Sequence, residues 1–206
     1  MFPAGIPVRK RLFDLALTLP GLILISPLLI VITLLVRIFH GSPVLFRQNR
    51  TGYRDQPFAV IKFRTMTEKR DAQGNLLPDE ARLTPLGRFL RLSSLDELPE
   101  LLHVLRGEMS LVGPRPLFDK YIDRYTPEQR RRHYVLPGMT GWAQVNGRND
   151  LSWEDKFRLD VWYVDHWSLG LDVKILLLTF WKVLKREGIN QEGYTSSEEF
   201  LGSPQK

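Results

Sequence analysis

Cysteine is missing from all 206 residues. Disulfides, thiolate catalysis and cysteine-based zinc sites are therefore excluded, and a reducing compartment is compatible with the chain. The histidines His40, His103, His133 and His166 show no ligand spacing and read as structural. There is no internal repeat and no low-complexity tract. Residues 15–36, Leu15 to Val36, contain no charge at all. Elsewhere 29 Lys and Arg outweigh 23 Asp and Glu, a net charge of +6. That balance suits nucleic acid, anionic lipid or phosphorylated substrates alike. No recognition-helix or stacking-platform pattern accompanies it, which argues against nucleic acid. Arg outnumbers Lys, and Arg is the better bidentate phosphate ligand.

The charge-free run covers 22 residues, about 33 Å as a helix, against a bilayer core of about 30 Å. A single spanning helix, a cleaved signal peptide and a re-entrant helix are the available readings. The run is too long for a signal peptide, and no small-x-small site follows it. Pro27 removes a backbone donor and crowds the carbonyl of Ile23. Ser26 can bond a carbonyl freed by that break. Pro20-Gly21 is a second weak point. Arg9, Lys10 and Arg11 precede the run, and Arg37, Arg47 and Arg50 follow it. Positive flanks on both sides ask both ends to stay in the cytoplasm. The expectation is a re-entrant element over 1–40, broken at Ser26-Pro27, and a cytosolic membrane-associated domain over 41–206.

The fold class expected is α+β, mainly α. Val44 to Gln48 and Phe58 to Phe63 read as a small β-hairpin. Glu68 to Pro85 reads as a surface loop and Leu86 to Leu92 as a short helix. Pro99 to Arg106 is helical and stops at Gly107. Phe118 to Tyr125 is helical, and Thr126-Pro127-Glu128-Gln129 matches a capping box. Leu136 to Asn149 reads as a shaped loop. Ser152 and Asp172 are expected to cap the last two helices. The final helix carries apolar residues over more than half its circumference, with Lys174, Lys182, Lys185 and Arg186 on the remainder. It is either a core helix or an interfacial helix against anionic lipids.

Asp96 and Glu97 are adjacent carboxylates where a helix begins. The simple reading is a capping box from Ser94 to Glu97, favoured by the helix dipole. The chemical reading is an aspartate nucleophile toward phosphorus. Arginines and a magnesium ion would neutralise the transferring group, and the second carboxylate would handle a proton. Arg115, between Pro114 and Pro116, is aimed at low entropic cost. Lys62 and Arg64 share one face of the second hairpin strand, which could be no more than a solvated face. Gly147-Arg148-Asn149 is a weaker anion cradle.

Four stretches resemble the bacterial sugar transferase family. They are Lys62-Phe63-Arg64-Thr65-Met66, the run from Ser93 to Leu101, the loop from Met109 to Pro116, and the run from Pro137 to Asn149. The resemblance covers nearly the whole chain in the family's motif order. It is closest to the small monotopic phosphoglycosyl transferases that use N,N′-diacetylbacillosamine 1-phosphate. It implies a two-step reaction. Asp96 would attack the β-phosphate of a UDP-sugar, release UMP and hold the phosphosugar; polyprenyl (undecaprenyl) phosphate would then take it. Glu97 would assist at a proton, magnesium would bind at Asp96, and Lys62, Arg91, Arg115 and Arg148 would line the phosphates. Ser26-Pro27 matches the family's helix break. The implied location is the cytoplasmic face of a bacterial inner membrane, in glycoconjugate assembly or protein glycosylation, with downstream glycosyltransferases as possible partners. UDP-GlcNAc, UDP-GalNAc or another UDP-hexose is the alternative donor. A basic membrane-surface adaptor without chemistry is the competing class.

Overall fold

The computed structural model describes residues 2–147, 151–185 and 199–202. Its longest element is α1, Val8–His40, with Pro20 and Pro27 inside it. Its 33 residues would extend about 50 Å if straight. Ser26 Oγ donates to the Ile23 carbonyl at 2.8 Å, the carbonyl that the Pro27 ring leaves without its usual partner.

Both arms of α1 pack on the rest of the chain. On the first arm Lys10 Nζ pairs with Asp172 at 2.7 Å and donates to the Val112 carbonyl at 3.1 Å. Asp14 accepts from Ser110 Oγ at 3.0 Å and from the Leu111 N–H at 3.2 Å. Two of the flanking cations, Lys10 and Arg11, are thus buried. On the second arm Ile32 and Val36 join Phe63 and Leu90 in a core, and His40 Nε2 lies 2.6 Å from Thr84 Oγ1. Between the arms, Ile23 and Leu24 are 75% and 82% exposed.

A hairpin follows, β1 Leu45–Thr51 and β2 Pro57–Phe63, antiparallel with Leu45 opposite Phe63 and Thr51 opposite Pro57. The expected surface loop contains a short helix, α2 Asp79–Arg82. Helix α3, Pro85–Leu92, is capped by Thr84, whose hydroxyl accepts from the Gly87 N–H at 2.9 Å. A Cβ on Gly87 would lie 1.8 Å from the Thr65 carbonyl oxygen, so only glycine lets α3 reach the end of β2. A 3-10 turn over Leu95–Glu100 runs into α4, Leu101–Arg106, and Gly107 closes it at φ 89°.

The stretch expected as one loop over 136–149 contains β4, Gly138–Thr140, and α6, Trp142–Asn146. β4 pairs in parallel with β3, Ser110–Val112. Three-residue strands this far apart in the chain leave too little pattern to be read locally. Asp119–Arg124 is 3-10 rather than α. The Thr126 capping box forms with both of its bonds and starts α5, Pro127–Arg130, which continues as a 3-10 turn over Arg131–Tyr134. Ser152 caps α7, Trp153–His166, accepting from the Asp155 N–H at 3.1 Å.

Helix α8, Leu169–Lys185, starts before Asp172. Asp172 is therefore no cap. It is fully buried and receives Lys10, the Tyr163 hydroxyl at 2.7 Å and Trp167 Nε1 at 3.1 Å. Ser168 Oγ accepts from the Leu171 N–H instead. Outward on α8 runs a stripe of Val173, Leu177, Phe180 and Trp181, while Ile175 faces a core with Val112, Val145 and Tyr163. A third core joins Tyr121, Phe157 and Phe200.

Candidate active site

The site begins with an unfavourable backbone conformation. Ser94 adopts φ 56° and ψ 17°, the left-handed region, which costs a non-glycine residue about 1–2 kcal/mol. Its side chain makes no cap bond, so the capping box expected from Ser94 to Glu97 does not form. The kink turns the 3-10 segment back onto β2, the elements on which Glu97 and Lys62 stand. Glu97 is thereby free to bond across elements.

Lys62 Nζ donates to Glu97 Oε1 at 2.5 Å and lies 3.2 Å from Glu100 Oε1. Arg115 Nη2 donates to the same Glu97 oxygen at 2.6 Å, and Nη1 reaches Oε2 at 3.5 Å. Strand β2, the 3-10 turn and the loop after β3 thus meet at one carboxylate. Lys62 is no solvated strand side chain, since only 21% of it is exposed. Arg91, on the last turn of α3, is tied by Nε to Thr65 Oγ1 at 3.0 Å. Arg148 lies outside the described residues. Arg64, one residue past the end of β2, lies against the Ser42 carbonyl and has no hydrogen bond or ion pair with Glu97 among the described residues.

Asp96 differs from its neighbour. Its carboxylate has no hydrogen bond or ion pair among the described residues. Burial, then the charge of Glu97, pushes it up to about 6, although Lys62, Arg91 and Arg115 pull it back. Burial also works to raise Glu97, but Arg115 and Lys62 outweigh it and hold that carboxyl well below the usual range. Arg115 is held above its ordinary value by Glu97. Glu97 is thus held ionised by the two cations that anchor it. Glu100 is pushed up to about 7, by burial and by Glu97.

Two residues escaped the sequence reading. Glu100 is buried one helical turn after Asp96 and shares Lys62 with Glu97. Arg50, on β1, stacks 3.8 Å from the centroid of Phe118 and is lowered to about 10, by burial and then by Arg115. The spacing of Glu100 from Asp96 was a signal; Arg50 offered none beyond its charge. A buried pair supports the loop. Arg132 bonds Asp160 through Nε at 3.0 Å and Nη2 at 2.7 Å, and Nη2 also donates to the Arg115 carbonyl at 2.7 Å.

The donor set fits magnesium. Mg²⁺ takes one or two carboxylates plus substrate phosphates and water, rather than a full protein cage. Asp96 is a hard oxygen donor, unengaged among the described residues, with Lys62, Arg91 and Arg115 nearby. No cluster of three or more His, Asp or Glu able to hold a metal occurs among the described residues.

The family model described as bacterial sugar transferase matches residues 6–186. An uncharacterized sugar transferase, EpsL, of Bacillus subtilis is 56% identical over 196 residues, 95% of this chain and 97% of that protein. The undecaprenyl-phosphate glucose phosphotransferase of Komagataeibacter xylinus is 39% identical over 91% of this chain. The undecaprenyl-phosphate galactose phosphotransferase of Salmonella typhimurium is 37% identical over 87% of it. This chain spans 37% and 41% of the lengths of those two proteins.

Proposed function

The chain belongs to the bacterial sugar transferase family, and from that premise we propose that it transfers a sugar 1-phosphate from a UDP-sugar to undecaprenyl phosphate. The observation that carries the reading is the contrast between two adjacent carboxylates. Glu97 is clamped by Lys62 and Arg115, while Asp96 is unpaired among the described residues in the same cationic surroundings.

Asp96 is the nucleophile. One of its oxygens bonds the β-phosphorus of the UDP-sugar as the bond from that phosphorus to the bridging oxygen breaks. UMP leaves with the electron pair. An oxygen of the lipid phosphate then bonds the same phosphorus, and the Asp96 carboxylate is released. Lys62, Arg91 and Arg115 hold the phosphates, and Arg148 is assigned with them. Glu97 orients Lys62 and Arg115 as an ionised carboxylate. Asp96 would hold Mg²⁺, which when bound screens the charge of the transferring phosphoryl group.

Two of the three relatives reported are named for glucose and galactose, which favours a UDP-hexose donor in polysaccharide assembly. N,N′-Diacetylbacillosamine is the sugar implied by the likeness to the small enzymes. The same geometry supports a re-entrant reading of α1. Both arms rest on one domain and the segment between them is exposed, which supports keeping both ends on the cytoplasmic face. The outward stripe of α8 fits an interfacial helix at anionic lipids.

UMP release from a panel of UDP-sugars, with magnesium and with or without undecaprenyl phosphate, tests the reaction. Turnover that needs both lipid and metal is expected, with the best donor naming the sugar. Asp96→Asn should abolish it, and mass spectrometry should find the phosphosugar on Asp96 of the parent protein. Substantial turnover by Asp96→Asn would defeat the covalent role. An adaptor without chemistry would release no UMP and bind anionic vesicles without nucleotide preference.

A further inference from the structure

An open groove of about 570 Å³ lies where the chain leaves α1 and enters the hairpin. Pro43, Val44, Phe46, Arg47, Arg64 and Glu68 are among its walls. Arg64 is only 8% exposed, and its Nε has no hydrogen-bond partner among the described residues. Its Nη1 donates to the Ser42 carbonyl at 3.2 Å and stands 3.6 Å from Glu68, whose side chain is 69% exposed. A guanidinium held this deep beside one distant, solvated carboxylate is under-satisfied and attracts an anion. Arg47, exposed, adds a second cation.

The remaining wall is apolar. It comprises Pro43, Val44, Leu45 and the exposed Phe46, just after the end of α1. Cations beside such an apolar surface match a lipid with an anionic head. The groove also lies along the hairpin that carries Lys62. Phe46 is the cross-strand partner of Lys62. Arg64 follows Lys62 by two residues and so shares its face, its N–H extending the ladder to the Val44 carbonyl at 2.9 Å.

We propose that this groove binds the phosphate head and first isoprene units of the polyprenyl phosphate acceptor, with Arg64 and Arg47 as its phosphate ligands. A phosphate monoester carries more negative charge than the phosphodiester of bulk phospholipid, and two guanidinium groups select for it. The inference rests on the acceptor assigned above, but its test needs no turnover.

The full-length protein in phosphatidylcholine nanodiscs is titrated with a fluorescent polyprenyl phosphate. Arg47→Gln and Arg64→Gln should each weaken binding about tenfold. Phosphatidylglycerol in tenfold excess over the probe should leave the parent's affinity unchanged. Arg47 is exposed, so its substitution keeps the proposal falsifiable even where Arg64→Gln fails to fold. Unchanged affinity in Arg47→Gln, or displacement of the probe by phosphatidylglycerol, overturns the proposal. Arg47-dependent binding alongside no UMP release from any donor upholds the groove and defeats the transferase reading.

Discussion

Two carboxylates that neighbour each other in sequence behave as different chemical objects. Glu97 has its cations at hydrogen-bond distance; Asp96 feels the same cations without touching them. The proposed nucleophile must be ionised to act, so the raised Asp96 value bears directly on that role. Titration of a ¹³C-labelled Asp96 carboxyl, by NMR without magnesium, should give a midpoint near about 6. Ionisation increases as pH rises through that value and is lost below it. Magnesium should move the midpoint down, because a cation at the carboxylate favours its charged form. No movement would remove Asp96 from the metal site. Glu97→Gln frees Lys62 and Arg115 from their shared anchor. A misplacement of about 1 Å in cations that hold phosphates can cost about 10²-fold in rate, and a loss of that order in kcat/KM is expected. Parent-like kcat/KM would show that the clamp is dispensable.

At the level of elements, α1 carries the boldest expectation. The native chain has no cysteine, so single cysteines introduced at Ala4 and Gly74 can be labelled cleanly. Under re-entry both react from the cytoplasmic side alone. Labelling of the Ala4 site only from the opposite side would establish a spanning helix. The hairpin, the Thr126 box, the Ser152 cap and the stop at Gly107 were legible because each rests on residues within a turn of one another. Asp172 was misread for the opposite reason. Its partners Lys10 and Tyr163 lie far along the chain or a helix away, and they take it into the interior. The Ser94 kink was equally illegible, because Ser-Leu-Asp-Glu fits an ordinary cap and only tertiary contacts to Lys62 and Arg115 make the other conformation worthwhile. The motif residues around Asp96 could be singled out from sequence; that Glu97 and Glu100 share Lys62 could not.

Across the whole molecule, separate cores are tied together by buried charge. The Arg132–Asp160 pair joins the third core's helix α7 to the loop that carries Arg115, and both side chains are almost wholly inaccessible. Removing one partner leaves an uncompensated charge, a loss of about 3–5 kcal/mol for such pairs. Asp160→Ala should accordingly lower the denaturation midpoint by that equivalent. Unchanged stability would mean that Arg132 finds another anion or water. The net charge of +6 and the exposed stripe of α8 belong to this same scale, and both fit the anionic bilayer surface proposed above.

The Glu97 clamp has one further consequence. Lys62 and Arg115 are not bare in the resting protein; an internal anion already occupies them. In the proposed reaction, arrival of a substrate pyrophosphate would be an exchange of counter-ions rather than a capture by naked charge, and the carboxylate would return once the transferred phosphate has left. Such a site releases fewer solution ions on binding than its number of cations suggests, so its affinity should depend on salt more weakly than a simple count of lysines and arginines would give.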